Sequence, residues 1–97
     1  MQALNGKVAI VTGGATLIGA GVIEVLRAAG AKVALFDIDA AGGERVAAAG
    51  APGSTRFWNV DISDDVQLAD GVASAATAFG RIDFLVNLAC TYLDNGA

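Results

Sequence analysis

The chain is 97 residues long with a formal net charge of −4 and no histidine, a length that allows one small domain burying only about 60–65% of its unfolded surface. Its six Lys and Arg residues are scattered singly, which leaves no basic patch to neutralise a nucleic-acid backbone or an anionic membrane. Hydrophobic residues make up 55% of the chain and mean hydropathy is +0.58, yet no apolar run approaches the roughly 20 residues of a spanning helix. The segment Met1–Lys7 lacks a basic stretch leading into an apolar one, the pattern of a secretory signal. A lone Cys90 excludes an intrachain disulfide and fits a reducing compartment. We therefore expect a cytoplasmic protein whose apolar content comes from parallel strands covered by helices on both faces.

In chain order, Val8–Val11 is a short apolar strand that ends in glycines, and Ile18, Val22, Val25, Leu26 and Ala29 recur at helical spacing up to Gly30. Lys32–Phe36 is the second strand. Asp39 is suited to cap an alanine-rich helix over Ala40–Ala49 that Gly50 stops, and Ala51-Pro52-Gly53-Ser54 is a loop by its breakers. Thr55–Val60 is the third strand, and Ser63 is the expected cap of a helix with Asp64 and Asp65 in its first turn. Val66, Ala69, Val72, Ala73, Ala76 and Phe79 mark that helix's buried face, Gly80 ends it, and Ile82–Ala89 is the fourth strand. Right-handed crossovers place these strands in the order 3-2-1-4, the first half of a doubly wound α/β sheet. The fourth strand is then an edge without the lysine or proline that blunts exposed edges, so the chain reads as part of a larger sheet.

The stretch Thr12-Gly13-Gly14-Ala15-Thr16-Leu17-Ile18-Gly19 joins the first strand to its helix. A helix N-terminus presents unpaired N–H groups and the positive end of a dipole, and a glycine turn there lets a phosphate approach the backbone. Gly13 is placed to take a positive φ and Gly19 to pack closely on the strand, while Thr16-Leu17 stands where a second close-approach glycine is expected. Asp37 ends the second strand 18 residues beyond Gly19, where a carboxylate accepts both adenosine ribose hydroxyls and repels a 2′-phosphate. This favours NAD over NADP. With Asp39 capping the helix, Asp37 is left free for the ribose.

Asp61 and Ile62 follow the third strand at the same sheet edge, suited either to an adenine amino group and ring or to an ordinary loop before a helix. Asn87, inside an apolar strand, must find partners and either ties strands together or lines the cofactor cleft. Cys90 has no histidine to activate it, Tyr92 has no lysine nearby, and no catalytic or metal-ligating constellation is visible.

Four segments in order resemble the short-chain dehydrogenase/reductase family: Leu4–Gly14, Asp37, Asn59–Asp64 and Phe79–Asn87. Leu17 replaces the middle glycine of the TGxxxGxG loop of the classical branch, and Thr16 replaces the second of the extended branch's TGxxGxxG. The Gly80–Asn87 segment favours the classical branch, whose NNAG is here Asn87-Leu88-Ala89-Cys90. The resemblance implies a Rossmann-type fold and an NAD cofactor held by Gly13, Thr16, Leu17, Ile18, Gly19, Asp37, Asp61, Ile62, Asn87 and Ala89. It further implies that nicotinamide C4 exchanges a hydride with a small alcohol or carbonyl compound while a Tyr, its pKa lowered by a Lys, exchanges the proton, with that Tyr, that Lys and a Ser lying beyond the fourth strand. None of those three is among these residues, so residues 1–97 are expected to be the N-terminal, dinucleotide-binding part of a single domain, inactive alone and homo-oligomeric in the full-length form. The rival readings are a non-catalytic NAD-binding module and a methyltransferase fragment using S-adenosylmethionine.

Overall fold

The computed structural model describes residues 3–89. Seven elements alternate along it: β1 (Val8–Thr12), α1 (Leu17–Ala28), β2 (Lys32–Asp37), α2 (Ala40–Ala48), β3 (Thr55–Asn59), α3 (Asp65–Phe79) and β4 (Phe84–Asn87). The strands form one parallel sheet in the order β3-β2-β1-β4, as the crossover rule requires. Reversal of strand order at β1 opens a crevice at the C-terminal ends of the strands, where a doubly wound sheet binds its ligands.

Alternate strand residues feed two cores. On one face Val11, Val33 and Leu35 pack with Ile23 of α1 and Val46 of α2; on the other Ile10, Ala34 and Phe36 pack with Val60 and with Ala75 of α3. Phe36 is fully buried and stands edge-on to Trp58, which stands edge-on to Phe79, with centroids 6.0 and 6.2 Å apart.

The helix faces differ from the sequence reading. In α1 the buried residues are Gly19 and Ile23, whereas Ile18 and Val25 are exposed. In α3 they are Gly71 and Ala75, whereas Val66, Ala69, Val72 and Ala73 face outward. The cause is close approach: a methyl group on Gly71 would lie 2.9 Å from Val60 Cγ2 and 3.2 Å from Phe36 Cζ. At this crossing point only small residues fit between α3 and the sheet; Leu68 and Phe79, to either side of it, still pack on the core, while Val66 and Val72 are turned away.

Caps follow chemistry more closely. Asp39 caps α2, its Oδ1 accepting from Gly42 N at 2.9 Å, and Gly80 ends α3 with φ 82°. Asp64, not Ser63, caps α3, accepting from Val66 N and Gln67 N, because Ser63 is already turned onto Asp61.

β4 is shorter than the apolar run around it. Asp83 precedes it as a clamp on β1, accepting from Val8 N at 2.8 Å and donating its own N–H to Val8 O at 2.8 Å. Arg81 pairs with Asp83 at 2.7 Å, and this partner foremost holds the Asp83 carboxyl below its ordinary value. Among the described residues nothing covers the sheet edge beyond β4: Leu85 is 60% exposed and shares a groove of about 360 Å³ with Ile10, Leu68 and Val72. No helix among the described residues is long and apolar enough to cross a membrane.

Candidate cofactor site

The turn after β1 is shaped by three glycines. Gly13 takes φ +78°, and a methyl group there would lie 2.6 Å from Ala89 N and 2.8 Å from Ala89 Cα. The turn therefore presses directly on the backbone that follows β4. Gly14 faces Leu35 and Ile23, and Gly19 packs on the backbone of Gly13 and Gly14 rather than on a strand. Thr16 caps α1, its Oγ1 accepting from Gly19 N at 3.0 Å, while Ala20 N reaches Thr16 O. The N–H groups of Leu17 and Ile18 have no partner among the described residues, so the helix start keeps donors for an anion. The Leu17 side chain is 94% exposed and stands clear of the turn.

Two adjoining depressions lie at this sheet edge. The larger, about 540 Å³, is bounded by Gly13, Thr16 and Ile18 on the α1 side, by Asp37 and Ile38 after β2, and by Leu88 and Ala89 after β4. The smaller, about 130 Å³, continues from Gly13, Asp37, Ile38 and Ala89 onto Asp61, Ile62 and Ser63 after β3. Among the residues read from the sequence, Gly13, Thr16, Ile18, Asp37, Asp61, Ile62 and Ala89 thus converge. Leu17 and Gly19 belong to the same turn without lining it.

Asn87 stands apart. Its Oδ1 accepts from Thr12 Oγ1 at 2.6 Å, tying β4 to β1, and it borders the groove on the α3 face rather than either depression. Cys90 and Tyr92 lie outside the described residues. Ile38 was not singled out by sequence; an exposed isoleucine between two aspartates, 71% accessible, is the signal that marks it. Asn59 holds it there, donating from Nδ2 to the carbonyls of Asp37 and Ile38 at 3.1 Å each.

Asp37 is not idle: its Oδ2 accepts from Ala15 N at 3.0 Å and its Oδ1 from Asp39 N at 2.9 Å. A carboxylate has about four acceptor sites, so two remain for hydroxyl donors. Asp61 Oδ1 accepts from Ser63 Oγ at 2.6 Å and Ser63 N at 2.9 Å. These bonds, the hydroxyl's first, hold its carboxyl below its ordinary value, while Oδ2 has no partner among the described residues. Among the described residues no lysine or arginine lines either depression. Among the described residues no cluster of His, Cys, Asp or Glu is arranged to hold a metal ion.

The arrangement has close counterparts. The family model for short chain dehydrogenase matches residues 7–96. D-threitol dehydrogenase of Mycolicibacterium smegmatis is 41% identical over 88 residues, covering 89% of this chain and 34% of the relative. Human 15-hydroxyprostaglandin dehydrogenase [NAD(+)] is 43% identical over 88 residues, covering 87% of this chain and 33% of the relative. Among solved structures, 3-ketoacyl-(acyl-carrier-protein) reductase from Brucella melitensis complexed with NADH superposes with a TM-score of 0.81 and 36% identity, over 84% of this chain and 33% of that one. The chain thus spans about a third of the length of the curated relatives it matches. With its sheet order, its glycine turn and a family match over nearly its whole length, the chain belongs to the short chain dehydrogenase family.

Proposed function

We propose that residues 1–97 form the NAD(H)-binding part of a single Rossmann-type domain, in a cytoplasmic, homo-oligomeric dehydrogenase acting on a small alcohol/carbonyl pair. The observation that carries this reading is the placement of Asp37 across one depression from Gly13, Thr16 and Ile18, with no cation among the described residues lining it. That is the geometry for a ribose at the acid and a pyrophosphate at the helix start. The glycine turn fits such a ligand, since it leaves backbone rather than side chain facing the crevice.

In this reading the N–H groups of Leu17 and Ile18 hold the pyrophosphate, and the remaining lone pairs of Asp37 accept the adenosine ribose hydroxyls. Asp61 Oδ2 accepts from the adenine amino group, and Ile38 and Ile62 cover the ring's faces. Gly13 and Ala89 form the floor over which the nicotinamide half runs toward the substrate. When bound, the nicotinamide exchanges a hydride with the substrate's carbinol carbon. The proton-transfer groups that the family resemblance implies are not among these residues, and the 97 residues alone are expected to be inactive. The NAD(+) in the human relative's name and the NADH in the Brucella reductase structure support the choice of cofactor.

Titration of the complete protein with NADH and NADPH tests it. A 2′-phosphate would bring like charge against Asp37, so NADH is expected to bind at least about tenfold more tightly, about 1.4 kcal/mol or more. Equal affinity or a preference for NADPH contradicts the role given to Asp37.

A further inference from the structure

We infer that Asp37 is a positioning residue for the phosphate-binding turn, in addition to accepting the ribose; the inference rests on the NAD reading above. Its backbone is anchored to β3, the carbonyl accepting from Val60 N and from Asn59 Nδ2 at 3.1 Å. From that anchor the carboxylate reaches across 22 residues of sequence to the N–H of Ala15 at 3.0 Å. Ala15 lies in mid-turn, between Gly13 with its positive φ and Thr16, the cap of α1. It is half-buried, and its N–H has no other acceptor among the described residues.

A half-buried amide without a partner is costly, and a charged acceptor makes the stronger kind of bond. The second oxygen accepts from Asp39 N at 2.9 Å, which fixes the carboxylate's rotation and so the direction from which Ala15 is held. The turn is also held by Gly13 N on Phe36 O at 2.9 Å and by the Thr16 cap, but these grip its two ends. Asp37 grips its middle. Without that bond the turn samples arrangements in which the Leu17 and Ile18 donors are not aligned, and apparent affinity falls by the fraction of the competent one. The ribose and phosphate subsites are therefore coupled through one side chain.

The test compares the complete wild-type protein with Asp37→Ala and Asp37→Asn by two readouts. The first is amide hydrogen exchange without ligand. Exchange over Gly14–Thr16 is expected to accelerate at least about tenfold in Asp37→Ala, with β1 and β2 amides unchanged; unchanged exchange in the turn overturns the clamp. The second is binding of NADH and of an NADH analogue whose adenosine ribose lacks both hydroxyls. A residue that serves the ribose alone costs nothing toward the analogue when replaced, whereas the clamp predicts a loss of at least about threefold there too. No loss toward the analogue overturns the inference. If the wild type binds neither compound, the NAD reading fails while the exchange result still decides the clamp. Asp37→Asn keeps one acceptor oxygen and can still hold Ala15, so should Asp37→Ala not fold, Asp37→Ser takes its place: its hydroxyl is one bond shorter than the carboxylate and does not reach Ala15 N, and the same two outcomes decide.

Discussion

Replacing Gly13 by alanine separates two costs that the turn combines. The first is conformational: φ is +78°, where an L-residue is strained by roughly 1 kcal/mol. The second is steric, because the new methyl would sit 2.6 Å from Ala89 N, 2.8 Å from Ala89 Cα and 2.9 Å from Leu88 C. These are backbone atoms following a paired strand, so they yield only by shifting the end of β4, at about 1–3 kcal/mol. Gly80 supplies the control, since its φ is +82° and nothing lies within 4 Å of an added methyl. Gly13→Ala is therefore expected to destabilise by about 2–4 kcal/mol and Gly80→Ala by about 1 kcal/mol, read as urea midpoints at constant m value. The difference between the variants is the worth of the contact between the turn and β4. Equal costs within about 0.5 kcal/mol would show that the turn does not press on Ala89 and would remove the basis for the crevice's floor.

Three further outcomes follow from particular contacts. Leu17→Gly should leave NADH affinity within about twofold, since the side chain is 94% exposed and the proposed phosphate contact uses only its N–H; a tenfold loss by calorimetry would show that the leucine itself meets the ligand. Thr12→Val should cost about 1–2 kcal/mol in denaturation experiments, because it removes a buried donor at 2.6 Å from Asn87 Oδ1, with NADH affinity little changed. The Asp83 carboxyl is held below its ordinary 3.8 in the folded chain, chiefly by Arg81. The folded state thus binds fewer protons than the unfolded one below that value, and the stabilisation is present above it and lost as pH falls through the folded-state pKa. Asp83→Asn should accordingly lower the melting temperature at pH 7 and flatten its decline below about pH 4, and parallel acid profiles would contradict the pairing.

The sheet was legible because strand ends are marked by local chemistry. Gly13, Gly30, Pro52 and Gly80 punctuate the chain, and handed crossovers leave few ways to order four strands. Helix faces were less legible, for a definite reason. Periodicity assigns the largest apolar side chains inward, but α3 lies so close to Phe36 and Val60 that Gly71 and Ala75 occupy the contact. Val66 and Val72 are then left outward, Val72 toward the open groove beside β4. In the site, Asp37, Asp61 and Ile62 were recognisable by position at strand ends. The bond from Ala15 to Asp37 was not, because it joins a backbone N–H to a side chain from a different βα unit. The same holds for Asn59, whose amide holds the carbonyls beneath Ile38 and which sequence marked only as part of a family segment.

In the proposed reading one crevice holds the whole dinucleotide, with its phosphates at the start of α1 and its adenosine between Asp37 and Asp61. Mapping backbone amide shifts of the complete protein during NADH titration tests this most directly. Perturbations are expected to concentrate at Gly13, Leu17, Ile18, Ile38, Ile62 and Ala89 and to spare the surface that Arg56 and Trp58 share with Ala73 and Thr77 of α3. Saturable perturbation centred on Arg56 and Trp58, or binding that leaves Leu17 and Ile18 unmoved, would contradict it.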